Sequence, residues 1–170
     1  MKIRLLILTF MITASALLLT VGCGQGYQNS WLYPDHVKTV YVEMFDTTSF
    51  YRGHEFALTD AVCKRIEAQT PYKSVSDRNL ADTVLSGMMG IHNSVLSTDY
   101  ESARPIEQET LVSVGVTWKD LKTGQLLIEE KEVFASTSYS KVMGQSFEYS
   151  VDQAVNKLAV RVVELMETPW

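Results

Sequence analysis

From Thr83 to Ser97 the chain alternates without a break. Leu85, Met89, Ile91 and Val95 fall on one parity, and Val84, Ser86, Met88, Gly90, His92 and Ser94 on the other. Strand side chains point to opposite faces in turn, so a period of two held this long demands a long strand and excludes a helix. The pattern recurs over Glu107–Lys119, with Val112, Val114, Val116 and Trp118 facing one way and Leu111, Ser113, Gly115 and Thr117 the other. Asp120-Leu121-Lys122-Thr123-Gly124 then reads as a hairpin turn, with Gly where a left-handed residue is needed. The return strand spans Gln125 to Ser138, and its parity slips between Leu126/Ile128 and Val133/Ala135, which predicts a β-bulge. Such strands reach roughly 40 Å at about 3.3 Å per residue, well beyond the usual length. Long edges of this kind invite docking by another chain.

The remaining elements are shorter. Val40, Val42 and Met44 alternate with Thr39, Tyr41 and Glu43 as a half-buried strand, followed by a loop at Thr47, Thr48, Ser49 and Gly53. Leu58, Val62 and Ile66, with Ala61 beside them, predict a helix from about His54 to Gln69, stopped by Pro71. Tyr72 to Ser76 reads as a short strand and Ser76–Asn79 as a turn. Val151, Ala154, Val155, Leu158, Val162 and Leu165 form the stripe of a last helix, bordered by Ala159 and Met166. Ser150-Val151-Asp152-Gln153 offers a capping box at its start, and Thr168 and Pro169 end it. The order β-α-(β)-β-β-β-α predicts an α+β domain: a mainly antiparallel sheet of about four strands with two amphipathic helices packed on one face. The other face would carry Ser86, Gly90, His92, Ser94, Ser113, Gly115 and Thr117. Two readings stay open for it, a plain solvated face and a flat surface of small side chains lying against a partner's wall.

The N-terminus has a different pattern. Lys2 and Arg4 precede an uncharged apolar stretch from Leu5 to Val21, the pattern of a secretory signal. The stretch is near the lower limit for a membrane-spanning helix, so an uncleaved anchor is a second reading. Thr20-Val21-Gly22-Cys23 resembles the bacterial lipobox, with Thr20 where that motif usually has Leu and with Leu19 one step back. On this reading residues 1–22 are a lipoprotein signal peptide, and Cys23 carries a diacylglycerol and an N-acyl chain, the alternative being an ordinary cleaved signal. Residues 23–36 form a lipidated tether and residues 37–170 a single domain. Several acyl chains hold a protein at a membrane essentially permanently. Gly24 stands where similar lipoproteins carry the Asp that retains them at the inner membrane, so the periplasmic side of the outer membrane is expected. The turn-rich tether reaches only about 20 Å. Its Trp31 and Tyr33 either rest at lipid headgroups or pack on the domain.

Composition removes several function classes. The formal net charge is −5, and removing residues 1–22 takes away Lys2 and Arg4 but no acidic group. An acidic chain lacks the basic surface that nucleic acid requires. Cys63 is the cysteine left beside Cys23, and its helical neighbours Val62 and Ile66 suggest a buried, inert thiol; an intermolecular disulfide or a catalytic thiol are the alternatives. His36, His54 and His92 have no second ligand at metal-site spacing, and no phosphate loop, dinucleotide fingerprint or GxSxG occurs. We therefore expect no metal, no cofactor beyond the Cys23 lipid, and no enzymatic activity. Asp77, Asp82, Glu129, Glu130 and Glu132 read as turn residues and solvated strand faces. Arg104, Lys119, Lys122, Lys131 and Lys141 lie on the sheet's loops and strands. Arg104, Lys119 and Lys122 are candidates for contacting the phosphates of an anionic glycolipid, Arg104 first because guanidinium grips phosphate bidentately.

Behind the lipobox a series of segments appears in order: Val37–Phe45, Glu55–Val62, Ala81-Asp-Thr-Val-Leu-Ser-Gly87 and Trp118-Lys-Asp-Leu-Lys-Thr-Gly124. In sequence and spacing they resemble the LptE family of lipopolysaccharide-assembly lipoproteins, although Cys-Gly-Gln-Gly-Tyr27 stands where the family commonly has Cys-Gly-Tyr. The resemblance implies an α+β outer-membrane lipoprotein that partners and plugs the β-barrel LptD, contacts lipopolysaccharide and performs no catalysis. The strand–helix–strand pattern also resembles curli-secretion and penicillin-binding-protein-activator lipoproteins, which usually need a longer linker than this chain has.

Overall fold

In a computed structural model, residues 32–167 are described. The lipobox, Cys23 and Trp31 lie outside them, as do Thr168 and Pro169. The elements run β1 (Thr39–Val42), β2 (Asp46–Thr47), α1 (His54–Gln69), β3 (Lys73–Val75), β4 (Thr83–Thr98), β5 (Pro105–Asp120), β6 (Leu126–Tyr139) and α2 (Phe147–Glu164). The strands form one sheet in the order β3-β1-β4-β5-β6, with β2 beside β4 beyond the end of β1.

The α+β class and the single helical layer agree with expectation, while the sheet is richer. It has six strands, and β1 runs parallel to both β3 and β4, as β2 does to β4. Helix α1 is the crossover that makes β1 and β3 parallel. The antiparallel part is the long ladder β4-β5-β6. β1 stops at Val42, and Met44 is exposed rather than facing inward. Phe45 takes the buried place instead.

The period-two code sorts the two sheet faces as expected. Leu85, Met89, Val112, Val114, Val116 and Trp118 are buried under Leu58, Val62 and Ile66 of α1 and Val151, Val155, Leu158 and Val162 of α2. Trp118 donates its indole N–H to Thr83 Oγ1 at 2.9 Å, so even its polar edge is satisfied inside. Further along β4–β6 this face turns polar. Thr110 and Ser150 hydroxyls meet at 2.6 Å, and Tyr139, Gln108 and Asn93 form a hydrogen-bonded group. Past it the β4–β5 hairpin projects beyond the core, with Val95, Leu96 and Tyr100 exposed.

The expected bulge is present: register shifts between Val116 and Trp118 against β6, where Glu130 takes a positive φ of 37°. Gly124 has φ 75° in the β5–β6 turn, the left-handed conformation that favours glycine there. The last helix differs from expectation. It starts at Phe147, with Ser146 accepting from the Tyr149 N–H, and Ser150 is a buried residue of its first turns rather than a cap. Of the expected tether, Tyr33 packs on the domain, edge-on to Tyr72 at 5.6 Å between ring centres.

Two motif residues that resembled turn grammar are latches. Asp82 Oδ2 accepts from the backbone N–H of Lys38 at 2.9 Å and of Thr39 at 3.0 Å, and Oδ1 lies 2.5 Å from Lys122 Nζ. It ties the start of β1 to β4 and to the β5–β6 turn. Asp120 in turn accepts from the N–H groups of Lys122 and Thr123. The Lys122 ammonium and the backbone N–H groups of Lys38 and Thr39 hold the Asp82 carboxyl well below the usual carboxylate range. A carboxyl with a depressed folded-state pKa stabilises above its unfolded value, near pH 4, and that stability is lost as pH falls through the folded value. Asp82→Asn is thus expected to lower stability at neutral pH by about 1–3 kcal/mol and to flatten the acid limb of the stability profile. Denaturant unfolding between pH 7 and pH 2 checks both; an unchanged acid limb would remove Asp82 from the latch.

Candidate interaction surface

The face of β4-β5-β6 away from the helices carries the other parity of all three strands. Direct cross-strand pairing sets its rows: Ser86 beside Thr117, Met88 beside Gly115 and Glu132, Gly90 beside Ser113 and Phe134, and His92 beside Leu111 and Ser136. All six residues expected on a partner face, Ser86, Gly90, His92, Ser113, Gly115 and Thr117, are therefore brought onto one surface. No helix covers it. A Cβ placed on Gly115 would meet no atom within 4 Å, and one on Gly90 would lie 3.3 Å from Ser113 Oγ. The centre is consequently flat, with backbone near the surface.

Two residues of this face stand out only in the structure. Met88 is 52% and Phe134 57% exposed, so two apolar side chains stand out of the flat field. Their alternation with Ser86, Gly90, Ser136 and Ser138 was the available signal. Thr48, Ser49, Phe50 and Tyr51 wall a cleft of about 320 Å³ against Gly90, His92, Leu111 and Ser113 at the β4 edge. The face thus offers a flat field of small side chains with two apolar projections.

The basic candidates are not brought together. Lys119 is exposed on the same face near the β5–β6 turn, where Lys122 is committed to Asp82. Arg104 stands in the β4–β5 turn at the other end of β5, roughly 50 Å away at about 3.3 Å per residue. One phosphate cluster cannot engage all three. The described chain begins at the Lys122 end, since His36 lies 3.7 Å from Asp120 and Tyr33 donates to Glu167.

Cys63 is half-buried rather than buried, lining a cleft with Met44 and Phe56 between α1 and the β1–β3 edge. Burial pushes its thiol up, which keeps it protonated and a poor nucleophile. Among the described residues no group of three His, Cys, Asp or Glu side chains is arranged to hold a metal ion. No helix among them is long and apolar enough to cross a membrane.

The described residues thus form an α+β domain, a mixed sheet with one helical layer and one long-stranded face that no described helix covers. Residues 37–167 match the family LptE, Lipopolysaccharide-assembly. The chain belongs to that family. Among solved structures it is similar to lipoprotein B from Nitrosomonas europaea, with TM-score 0.58 at 15% identity, covering 86% of this chain and 89% of that one. It is also similar to rare lipoprotein B from Shewanella oneidensis, with TM-score 0.53, 18% identity, 76% and 93% coverage. At such identities these likenesses establish the fold. The comparison with curated proteins found no match.

Proposed function

We propose that this protein is a non-catalytic lipoprotein of the outer membrane, acylated at Cys23 and facing the periplasm, whose uncovered sheet face lies against an LptD-type β-barrel and helps it assemble lipopolysaccharide. The family match supplies the process. The observation that carries the partner is the bare face centred on Gly115, because a surface of small side chains and near-surface backbone suits close approach to another wall. Glycolipid phosphate contact falls to Arg104 and Lys119 separately, since Lys122 is engaged by Asp82. The curli-secretion and penicillin-binding-protein-activator reading is disfavoured by the family match and by the short tether.

A photoreactive residue in place of Ser113 is expected to crosslink to a β-barrel protein in intact membranes, whereas one in place of Lys64, on the outer side of α1, gives no such adduct. The reverse pattern would move the interface to the helices. Cys23→Ala is expected to leave the fold intact and to shift the protein from the membrane fraction to the soluble periplasmic fraction, read by fractionation. Retention of the variant through a lipid of its own would contradict acylation at Cys23.

A further inference from the structure

The outer edge of β6 is sealed along only part of its length. Lys157 Nζ donates to the Ser136 carbonyl at 3.1 Å, and the Arg161 guanidinium donates to the Phe134 carbonyl. Four helix residues advance about 6 Å and two strand residues about 6.6 Å, so α2 and β6 run in step. The next step sets Leu165 and Glu164 against Glu132, and neither side chain carries a donor. Charged side chains over an edge are a common guard against strand addition; here the guard that α2 supplies stops at Phe134, and the bulge at Glu130 and Lys131 are what the remaining edge itself carries.

Beside the unguarded half lies a cleft of about 760 Å³. Leu127, Ile128, Leu165 and Trp118 contribute an apolar floor, and Glu129, Glu130, Glu132, Glu164 and Glu167 line it with carboxylates against a single cation, Lys131. Three alternatives to a foreign protein segment fail on charge. Residues 24–31 and 168–170 of this chain carry no Lys or Arg, and a second copy of a net-acidic chain brings like charge. Anionic lipid phosphates would be repelled.

We propose that this groove and the β6 edge from Leu126 to Glu132, which no strand among the described residues pairs, accept an extended segment of a partner protein in which apolar residues alternate with Lys or Arg. The segment adds as a strand to β6, its apolar side chains enter the floor, and its cations meet the glutamates. The groove lies on the helix side of the β6 edge and meets the open sheet face only at Glu132, so it adds a second contact to the function proposed above.

The test uses the full chain in detergent micelles with two probes, a blocked heptapeptide alternating valine with lysine or arginine and its glutamate counterpart. Saturable binding of the basic peptide is expected, shifting the backbone amide resonances of Leu126–Glu132 and weakening as salt is raised. The Glu129→Gln, Glu132→Gln double variant should bind at least about tenfold more weakly, with an unchanged melting temperature because both side chains are exposed. Equal binding of the glutamate peptide, non-saturating binding, indifference to the two substitutions, or shifts confined to α2 or the open face would each overturn the proposal.

Discussion

Gly115→Arg is expected to remove the barrel partner from the isolated protein while leaving the fold as stable as before. Gly115 sits mid-strand with open space where a side chain would go, and exposed substitutions of this kind usually change stability by no more than about 0.5 kcal/mol. In a complex the same guanidinium would be driven into a closely apposed wall. Even with Glu132 across from it, forcing that bulk and charge into a packed wall is expected to cost about 3 kcal/mol or more, a hundredfold in affinity. Copurification in mild detergent and thermal unfolding read the two effects separately. If the variant copurifies normally, the open face is not the interface. If it unfolds early, Gly115 has a structural role that its surroundings do not show.

Gly87→Ala should have the opposite profile. Gly87 lies on β4 one row from Gly115, but on the helix-facing side. A Cβ there would run into the Gly115 carbonyl oxygen and lie 3.0 Å from Phe45 Cε1. Phe45 is 1% exposed and has no room to withdraw. Overpacking against backbone and a buried ring is expected to cost about 3 kcal/mol and to lower the melting temperature by roughly 10 °C. Thermal unfolding followed by circular dichroism measures it, and an unchanged midpoint would mean that Phe45 is not seated over Gly87. These two motif segments, Val37–Phe45 and Ala81–Gly87, thus end on residues that pack against each other.

What periodicity could express was legible. Helix α1 spans the residues its stripe indicated, and the ladder β4-β5-β6, its hairpin at Gly124 and its bulge follow from parity. What depended on distant partners was not. β2 is two residues long, too short for a period to register. The parallel placement of β1 between β3 and β4 is a tertiary choice that its four residues do not encode. Ser150 offered a convincing capping box, yet its hydroxyl serves Thr110 across the core and the cap is Ser146. Asp82 read as a turn residue because its acceptors' partners, Lys38 and Thr39, lie more than forty positions earlier. The partner face was visible as a set of small residues, but Met88 and Phe134 within it were not singled out. The glutamates of β6 looked like a solvated face, and only the position of α2 shows that they line a cleft beside the β6 edge.

The most direct test of the assembly role is to isolate the full-length, lipidated protein from its own outer membrane in mild detergent and to identify its companions by mass and stoichiometry. One large β-barrel protein per copy is predicted, and it should disappear from the Gly115→Arg preparation. Recovery of a peptidoglycan synthase instead, or of the protein alone, would contradict the account.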